Sequence, residues 1–216
     1  MDANMTIEST NAAPTPDAIG TKIRTVPPGR RLNAEVRTRE YLTLPEIEQL
    51  MKAAKGEGRR HGLRDATMIL LAFRHALRVT ELVNLRWRDV DFYTARLNVN
   101  RLKRSVSGVH PLVADELRAL RRLRKDAPHD DFLFMTERGA PMTQAGFRKL
   151  LTRVADRAGL SALKVHPHAL RHSCGYALVN KGKDTRTLQD YMGHKQIANT
   201  VRYTALNSSR FTDLWR

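Results

Sequence analysis

The chain carries the stretch His168-Ala-Leu-Arg171-His172, followed by Gly193-His194 and, nine positions after that histidine, by Tyr203. His168 and Arg171 are three positions apart on a predicted helix, so their side chains share one face. Arginine can donate two hydrogen bonds to phosphate oxygens, histidine transfers protons near neutral pH, and tyrosine can act as a nucleophile. This combination predicts a site that acts on a phosphodiester, built on the helices around it.

The composition indicates a polyanionic partner. The 216 residues carry a net charge of +16, and the isoelectric point is near 10.7. Such a charge favours nucleic acid over an anionic membrane surface, and double-stranded DNA is the partner we expect. No apolar stretch has the length of a secretory signal core or a membrane span, so we expect a cytoplasmic protein; the resemblance described below implies a bacterial, nucleoid-associated one.

Cys174 is the single cysteine of the chain. One cysteine excludes an intramolecular disulfide and a cysteine-rich zinc site. Because Cys174 lies in an apolar stretch, we predict a buried and unreactive thiol. His168 and His172 are four positions apart and also suit a metal pair, but there is no Glu beside His168 and no obvious third ligand. We therefore expect no metal, and we interpret His172 as a structural, hydrogen-bonded histidine.

Two parts of the chain differ in composition. Residues 1–36 are rich in Ala, Thr, Pro and Asn without helical or strand periodicity, which predicts a mobile leader with a basic later part. Contact with a DNA backbone and no role at all are both open for this leader. Residues 37–216 are expected to form one domain. Its first helix has a capping box, Thr43 with Glu46, and a hydrophobic staple, Leu42 with Ile47.

The periodicity predicts a mainly α-helical fold with a small antiparallel β-sheet. Alternating residues in Arg96–Asn100 and Gly108–Leu112 predict two paired strands, with a connecting turn at 101–107. The predicted helices cover approximately residues 44–55, 63–76, 79–85, 113–124, 143–158, 168–180, 184–192 and a last short segment that ends near 203.

Further side chains are candidates for the phosphodiester site. Arg78 follows the apolar second helix and precedes Glu81, which fits a partly buried, oriented guanidinium, although a surface arginine at a helix junction is also plausible. Lys103 lies at the tip of the predicted hairpin, where it can serve as a general acid with a lowered pKa or simply contact the DNA backbone. The phenol of Tyr203 needs a base or a positive field to become a nucleophile, and its neighbours supply both. The other tyrosines are expected to pack in the interior: Tyr41, Tyr93, Tyr176 and Tyr191.

The candidates occur in an order that resembles the signature of the tyrosine recombinase (phage integrase) family, which is Arg, Lys, His-x-x-Arg, His or Trp, and Tyr. The matching residues are Arg78, Lys103, His168, Arg171, His194 and Tyr203. The resemblance covers residues 41–216. Three segments are also similar to the short recombinases that invert a promoter segment controlling bacterial fimbriae: Arg101–Leu112, His166–Gly175 and Asp184–Arg186.

The sequence departs from the family pattern in three places. Ala76 stands where the family commonly has glycine, and Met192 stands where it commonly has leucine; both changes are mild. The leader before Tyr41 is too short and too polar for the family's N-terminal DNA-clamping domain. We therefore expect tight DNA binding to need neighbouring protomers or accessory DNA-bending proteins.

The resemblance implies a mainly helical catalytic domain and a site-specific recombinase that uses no cofactor. Tyr203 would attack the scissile phosphate, form a 3′-phosphotyrosyl link and free a 5′-hydroxyl. Each remaining residue would have one role: Arg78 and Arg171 hold the phosphate, Lys103 protonates the leaving oxygen, His168 serves as acid and base, and His194 donates a hydrogen bond to the transition state. These roles require Tyr203 to reach the guanidiniums of Arg78 and Arg171.

The resemblance also implies an assembly and leaves alternatives. Four protomers would act on two duplexes, as monomers in free solution that meet on DNA, with an apolar tail around Phe211, Leu214 and Trp215 docked on a neighbour. A non-catalytic DNA-binding transcriptional regulator with the same fold, a relaxing topoisomerase and an RNA-binding structural protein are the rival interpretations. The target sequence, and the choice between inversion and integration or excision, stay open.

Overall fold

The computed structural model describes residues 39–58, 60–101, 107–126, 131–163 and 165–205. Three of the predicted features lie outside these residues: the leader 1–36, the position of Lys103, and the tail with Phe211, Leu214 and Trp215. The division of the chain into a leader and a domain at 37–216 therefore stays a prediction.

The described residues form a mainly helical fold with a small antiparallel sheet, as the periodicity predicted. The helices are α1 (Leu44–Lys55), α2 (Gly62–Arg74), α3 (Val79–Val83), α4 (Ala114–Asp126), α5 (Gln144–Arg157), α6 (Pro167–Asn180), α7 (Thr185–Met192) and α8 (Ala198–Ala205). The strands are β1 (Val90–Asp91), β2 (Arg96–Val99) and β3 (Gly108–Pro111), and short 3-10 turns cover Trp87–Asp89 and Ser161–Leu163.

The start of α1 has the local structure that its sequence predicts. The backbone N–H of Thr43 donates to Oε2 of Glu46 at 2.7 Å, which closes the capping box. Leu42 and Ile47 are both buried, as a hydrophobic staple requires. Gly56 follows the helix with a φ of 34°, so the helix ends where glycine permits the backbone to turn.

Helix α2 is the centre of the core. It packs against α1, α4 and α6, and most of its residues are buried, among them Met68, Ile69 and Leu71. The helix ends at Arg74, although the apolar pattern predicted that it continues to Ala76. The reason is the backbone of Ala76, whose φ of 49° lies in the left-handed region and cannot continue a right-handed helix.

The sheet has the strand order β1-β2-β3 with both pairs antiparallel. Leu97 in β2 pairs with Val90 on one side and with His110 on the other. Strand β1 was not predicted because two residues are too few to show an alternating pattern. Leu97 and Val99 are both buried, so they lie on the face of the sheet that packs against the core.

Helices α6, α7 and α8 pack on one another, and α6 joins them to α2. Helix α6 contacts α2, α7 and α8, and α7 packs on α8. Asp184 caps α7 by accepting hydrogen bonds from the N–H groups of Arg186 and Thr187. The helix ends at Gly193, with a φ of 64°. No helix within the described ranges is both long and apolar enough to cross a membrane.

Candidate active site

Arg171 is the most enclosed charged side chain of the candidate set. Helix α6 places it with 1% of its surface exposed, where Nη1 donates to the carbonyl oxygen of Ala76 and Nη2 donates to that of Met192 at 2.8 Å. Burial, together with the positive charges of Arg101 and Arg78, lowers its pKa to about 10. Arg171 therefore fixes the loop after α2 against the end of α7.

The carbonyl group of Ala76 is shared by two arginines. It accepts from Arg171 and also from Nη1 of Arg101, at 3.2 Å. The left-handed backbone of Ala76 turns the chain immediately after α2. Glycine adopts this conformation without the clash of a Cβ, so Ala76 takes it at a steric cost that glycine would avoid.

Glu81 is buried between two guanidiniums. Its Oε2 accepts from Nη1 of Arg101 at 2.6 Å and from the backbone N–H of Arg78, while its Oε1 accepts from Nη1 of Arg78 at 2.8 Å. Burial opposes ionisation of Glu81, but the charge of Arg101 and the hydrogen bonds from Arg78 outweigh it and hold the carboxyl pKa below its usual value. Glu81 is therefore an ionised carboxylate that orients both arginines.

We call Arg78, Arg101 and Arg171 the guanidinium cluster. Three positive charges against the single carboxylate of Glu81 leave a net charge of +2. The side chains of Arg101 and Glu81 are each 1% exposed, whereas that of Arg78 is 35% exposed and open to solvent. Excess positive charge with this little hydration favours an anion at the exposed guanidinium, and a phosphate is the anion that arginine matches best.

The histidines beside the cluster are held neutral. Burial and then the charge of Arg171 lower the pKa of His194 to about 4, and the same two causes lower the pKa of the more exposed His168. Nδ1 of His194 lies 2.9 Å from the hydroxyl of Thr200. When that hydroxyl donates to Nδ1, Nε2 carries the proton and can donate to an anion. Neutral His168 can accept a proton.

Tyr203 lies in α8 with 2% of its surface exposed. Its hydroxyl is 3.0 Å from Nδ1 of His172, the residue after Arg171, and its ring contacts that of Tyr176 edge-on at a centroid distance of 5.3 Å. Burial raises the pKa of Tyr203 to about 12, and Arg171 opposes that rise. His172 thus makes the hydrogen bond predicted for it, and the partner is Tyr203.

The described candidates converge on one region. Arg78 and Arg171 both lower the pKa of His168 and of His194, which requires the four side chains to lie within electrostatic reach of one another. Tyr203 and Arg171 also affect each other's pKa. The phenol is covered, but it is one hydrogen bond away from the helix turn that carries Arg171.

Comparison with known proteins agrees with this geometry. The model of the phage integrase family matches residues 40–210. The chain belongs to the phage integrase family. It is therefore a site-specific tyrosine recombinase, as the order of its candidate residues predicted, and the interpretation as a non-catalytic regulator is not favoured.

This recombinase matches some of its relatives over nearly their whole length and others over only part of it. It is 41% identical to the type 1 fimbriae regulatory protein FimE of Escherichia coli K12 over 183 residues, which cover 82% of this chain and 91% of FimE. It is also 41% identical to FimB of the same strain, over 92% of FimB. The tyrosine recombinase XerC of Halalkalibacterium halodurans is 32% identical, and the match covers 61% of XerC.

Solved structures carry the same fold. The crystal structure of XerA recombinase superimposes with a TM-score of 0.69 at 26% identity, covering 81% of this chain and 63% of that one. The Tn1549 transposon integrase in complex with circular intermediate DNA superimposes with a TM-score of 0.64 at 26% identity, covering 61% of that chain. The described part of this recombinase is therefore a tyrosine recombinase catalytic domain.

Arg101 and Glu81 were not among the predicted site residues. Leu97, Val99 and Arg101 are buried at every second position, although β2 itself ends at Val99. That alternation is the signal by which Arg101 could have been found. Glu81 has a weaker signal, because a single carboxylate in a short helix more often caps the helix than binds a second arginine.

The structure also tests the predicted burial of Cys174 and of Tyr93. The thiol of Cys174 is buried and is not paired with another cysteine, which confirms the burial that was predicted, and burial raises its pKa to about 12. The expectation that Tyr93 packs in the interior is wrong, because Tyr93 is 98% exposed. Asp91 binds the backbone N–H groups of Tyr93 and Thr94, so Tyr93 lies in a turn that directs it to solvent.

Proposed function

We propose that this recombinase cleaves double-stranded DNA by attack of Tyr203 on the scissile phosphate. The bond from phosphorus to the 5′-oxygen breaks, a 3′-phosphotyrosyl link forms, and a 5′-hydroxyl is released. Attack by the 5′-hydroxyl of a partner duplex reverses the step and restores the phenol. Each exchange replaces one phosphate ester by another, so no high-energy cofactor is needed. The observation that carries the proposal is the guanidinium cluster, with its net charge of +2, beside a tyrosine.

The two phosphate-binding arginines differ in exposure, and we assign them different contributions. Arg78 presents a guanidinium to solvent and is suited to direct contact with the non-bridging oxygens. Arg171 keeps two donors on the carbonyls of Ala76 and Met192, so its remaining donors are fixed in direction. Preoriented positive donors stabilise the extra negative charge of five-coordinate phosphorus without reorganisation during the reaction.

Proton transfer is assigned to the remaining residues. His168 is neutral at physiological pH and accepts the phenol proton during attack. His194 donates a hydrogen bond to the transition state from Nε2. Lys103, which lies outside the described residues, is proposed to protonate the 5′-oxygen as it leaves.

The biological reaction we propose is inversion of a DNA segment that controls expression of neighbouring genes, such as a fimbrial promoter. This proposal rests on the similarity to FimE and FimB, which are named fimbriae regulatory proteins and match over nearly their whole length. The substrate would be chromosomal DNA in the bacterial cytoplasm. A basic net charge of +16 supports DNA as the partner, and a structure of the related Tn1549 integrase contains DNA.

The first test is Tyr203→Phe, which removes the nucleophilic oxygen and keeps the ring. We expect this variant to bind duplexes made from the inverted repeats near its gene as the wild type does, but to form no covalent complex on nicked versions of those duplexes. Adducts are measured by denaturing gel electrophoresis and binding by mobility shift. A covalent complex formed by the Phe variant would refute the assignment.

We further propose that four protomers assemble on two duplexes through the C-terminal tail, with accessory DNA-bending proteins supporting the synapse. Deletion of residues 210–216 should leave cleavage at single sites intact and abolish the pairing of two sites in a synapsis assay. Equal losses of folding stability and single-site cleavage would instead indicate that the tail packs on its own protomer.

A further inference from the structure

A buried pair of histidines lies next to the guanidinium cluster and has no role in the proposed reaction. His75, directly after α2, and His110, in β3, are 1% and 3% exposed. Their Nδ1 atoms lie 3.3 Å apart, so one ring donates a hydrogen bond to the other. Buried polar side chains of this kind are costly unless each polar atom has a partner, so the remaining contacts of the pair need an explanation.

The other nitrogen of His75 faces Glu116 of α4. Nε2 lies 3.2 Å from Oε1, both side chains are 1% exposed, and neither atom has another hydrogen-bond partner among the described residues. The carboxyl group also accepts from the backbone N–H of Val113 at 2.9 Å through Oε2, and Nη1 of Arg74 lies 3.7 Å from Oε1. A carboxylate suits these donors, so the proton between His75 and Glu116 belongs to Nε2. We call His75, His110 and Glu116 the histidine platform.

The histidine platform contacts both residues whose carbonyl groups hold Nη2 of Arg101. That nitrogen donates to the carbonyl oxygen of His75 at 3.2 Å and to that of Tyr191 at 3.0 Å. His75 is itself part of the platform, and the ring of Tyr191 stacks on that of His110 at a centroid distance of 4.1 Å. The two backbone acceptors of Arg101 therefore belong to residues whose side chains meet at His110.

Arg101 connects the histidine platform to the other two guanidiniums. Its Nη1 binds Glu81 at 2.6 Å, and Glu81 binds the exposed Arg78 at 2.8 Å. The same Nη1 donates to the carbonyl of Ala76, which also accepts from the buried Arg171. A displacement of Arg101 thus disturbs a partner of each of the other two arginines.

We propose that His110 and Glu116 are positioning residues for DNA cleavage, which keep the guanidinium cluster aligned through the contacts of Arg101. The inference rests on the proposed function of that cluster, which is to bind the scissile phosphate. Both positioning residues are buried, so their loss should leave DNA binding intact and slow the chemical step. Misplacement of a reacting or binding group by about 1 Å can lower a rate on the order of a hundredfold.

The first test separates the hydrogen bond of His110 from the space that its ring fills. His110→Phe keeps a ring that can stack on Tyr191 and removes Nδ1. The single-turnover rate of adduct formation on a nicked duplex should fall about tenfold, whereas mobility shift should show unchanged binding of intact duplex. His110→Asn places a side-chain amide near the position of Nδ1 and should recover most of the lost rate, although it has no ring.

The second test addresses the other end of the histidine platform. In Glu116→Gln, the amide offers one acceptor oxygen to the two donors that the carboxylate serves, so adduct formation should slow in this variant as well. Asp115→Asn is the matched control, because it removes one negative charge at the neighbouring position. Asp115 is 44% exposed and binds Arg74 instead of a histidine, so its substitution should leave the rate unchanged.

Nitrogen NMR of the histidine rings examines the histidine platform without any cleavage. In the wild type, Nε2 of His75 should carry a proton. The ring signals of His75 should shift in Glu116→Gln and stay in place in Asp115→Asn, which also assigns them. A His75 ring with a lone pair on Nε2 would contradict the proposed contact with Glu116.

The kinetic results decide the positioning role. A full adduct rate in His110→Phe, or equal losses in His110→Phe and His110→Asn, overturns it. If His110→Phe does not fold, a rate in Glu116→Gln equal to that of Asp115→Asn overturns the role, and a lower rate supports it. A covalent adduct that survives Tyr203→Phe refutes the proposed nucleophile and not the platform, because the protons on the histidine rings are observed without DNA.

Discussion

Glu81 is the residue on which the guanidinium cluster depends. Its two oxygens bind Arg101 at 2.6 Å and Arg78 at 2.8 Å, and both carboxylate and Arg101 are removed from water. A buried ion pair contributes little net stability by itself, because desolvation offsets most of its attraction. Loss of one partner strongly destabilises the fold, because the other charge then remains buried without a counter-ion. The role of Glu81 is therefore orientation of arginines rather than stability as such.

The substitution Glu81→Gln keeps the shape of the side chain and removes its charge. The free energy of unfolding should fall by about 3–5 kcal/mol, because Arg101 stays buried without its counter-ion. Chemical denaturation measures the change. Glu137→Gln is the control, because its side chain is 73% exposed, and its effect should be small. Equal effects of the two substitutions would contradict a buried ion pair at Glu81.

Helix α7 positions His194 through its C-terminal end. Gly193 caps the helix in the left-handed region, and the backbone N–H of His194 then donates to the carbonyl of Gln189 at 2.9 Å. The side-chain amide of Gln189 in turn donates to the carbonyl of His194 at 3.0 Å. The end of one short helix thus fixes the backbone on both sides of a candidate site residue.

Gly193→Ala tests this positioning. A Cβ in the left-handed conformation costs roughly 1–2 kcal/mol, so stability should fall and adduct formation should fall with it as His194 shifts. Gly182→Ala is a control for the backbone strain alone, because Gly182 also has a positive φ, of 75°, but is exposed, with open space where a Cβ would lie, and no site residue follows it. Both variants should lose stability in thermal unfolding because both positions have a positive φ, whereas adduct formation should fall only in Gly193→Ala. Equal catalytic losses would contradict the assigned role of the α7 end.

At the scale of the whole molecule, the fold keeps several histidines neutral inside a highly basic protein. Burial is the main cause in each case, and it lowers the pKa of His110 and of His172 to about 3 and that of His194 to about 4. In the unfolded chain these groups return to about 6.5. Between pH 6.5 and about 4 the unfolded state therefore binds more protons than the folded state.

It follows that the free energy of unfolding decreases as the pH falls through this window. The slope in His172→Phe should be smaller by the contribution of one histidine, because that variant has one fewer group to protonate on unfolding. Denaturant titrations at a series of pH values measure both slopes. Stability that stays constant or rises on acidification, in either protein, would contradict the neutral, buried state of these rings.

Local sequence patterns by themselves determined much of this protein. Capping at Thr43 and Asp184, the glycines that end α1 and α7, and the periodicity of the apolar residues act over one or two helical turns, so they could be recognised without a structure. The ordered candidate residues also indicated the family, because the order of side chains is a property of the sequence. The predicted end of α2 was wrong because Ala76 has a left-handed backbone, which is rare for a residue other than glycine.

Only the tertiary structure decided how the site is built. Arg101 binds Glu81, 20 positions away, and the carbonyl of Tyr191, 90 positions away, and no local pattern encodes which of many arginines finds such partners. The burial of Tyr203 against Gly175 likewise depends on the packing of α8 on α6. The physical reason is that hydrogen bonds and caps within a turn are set by neighbouring residues, whereas desolvation of a charge or a phenol is set by everything that surrounds it in space.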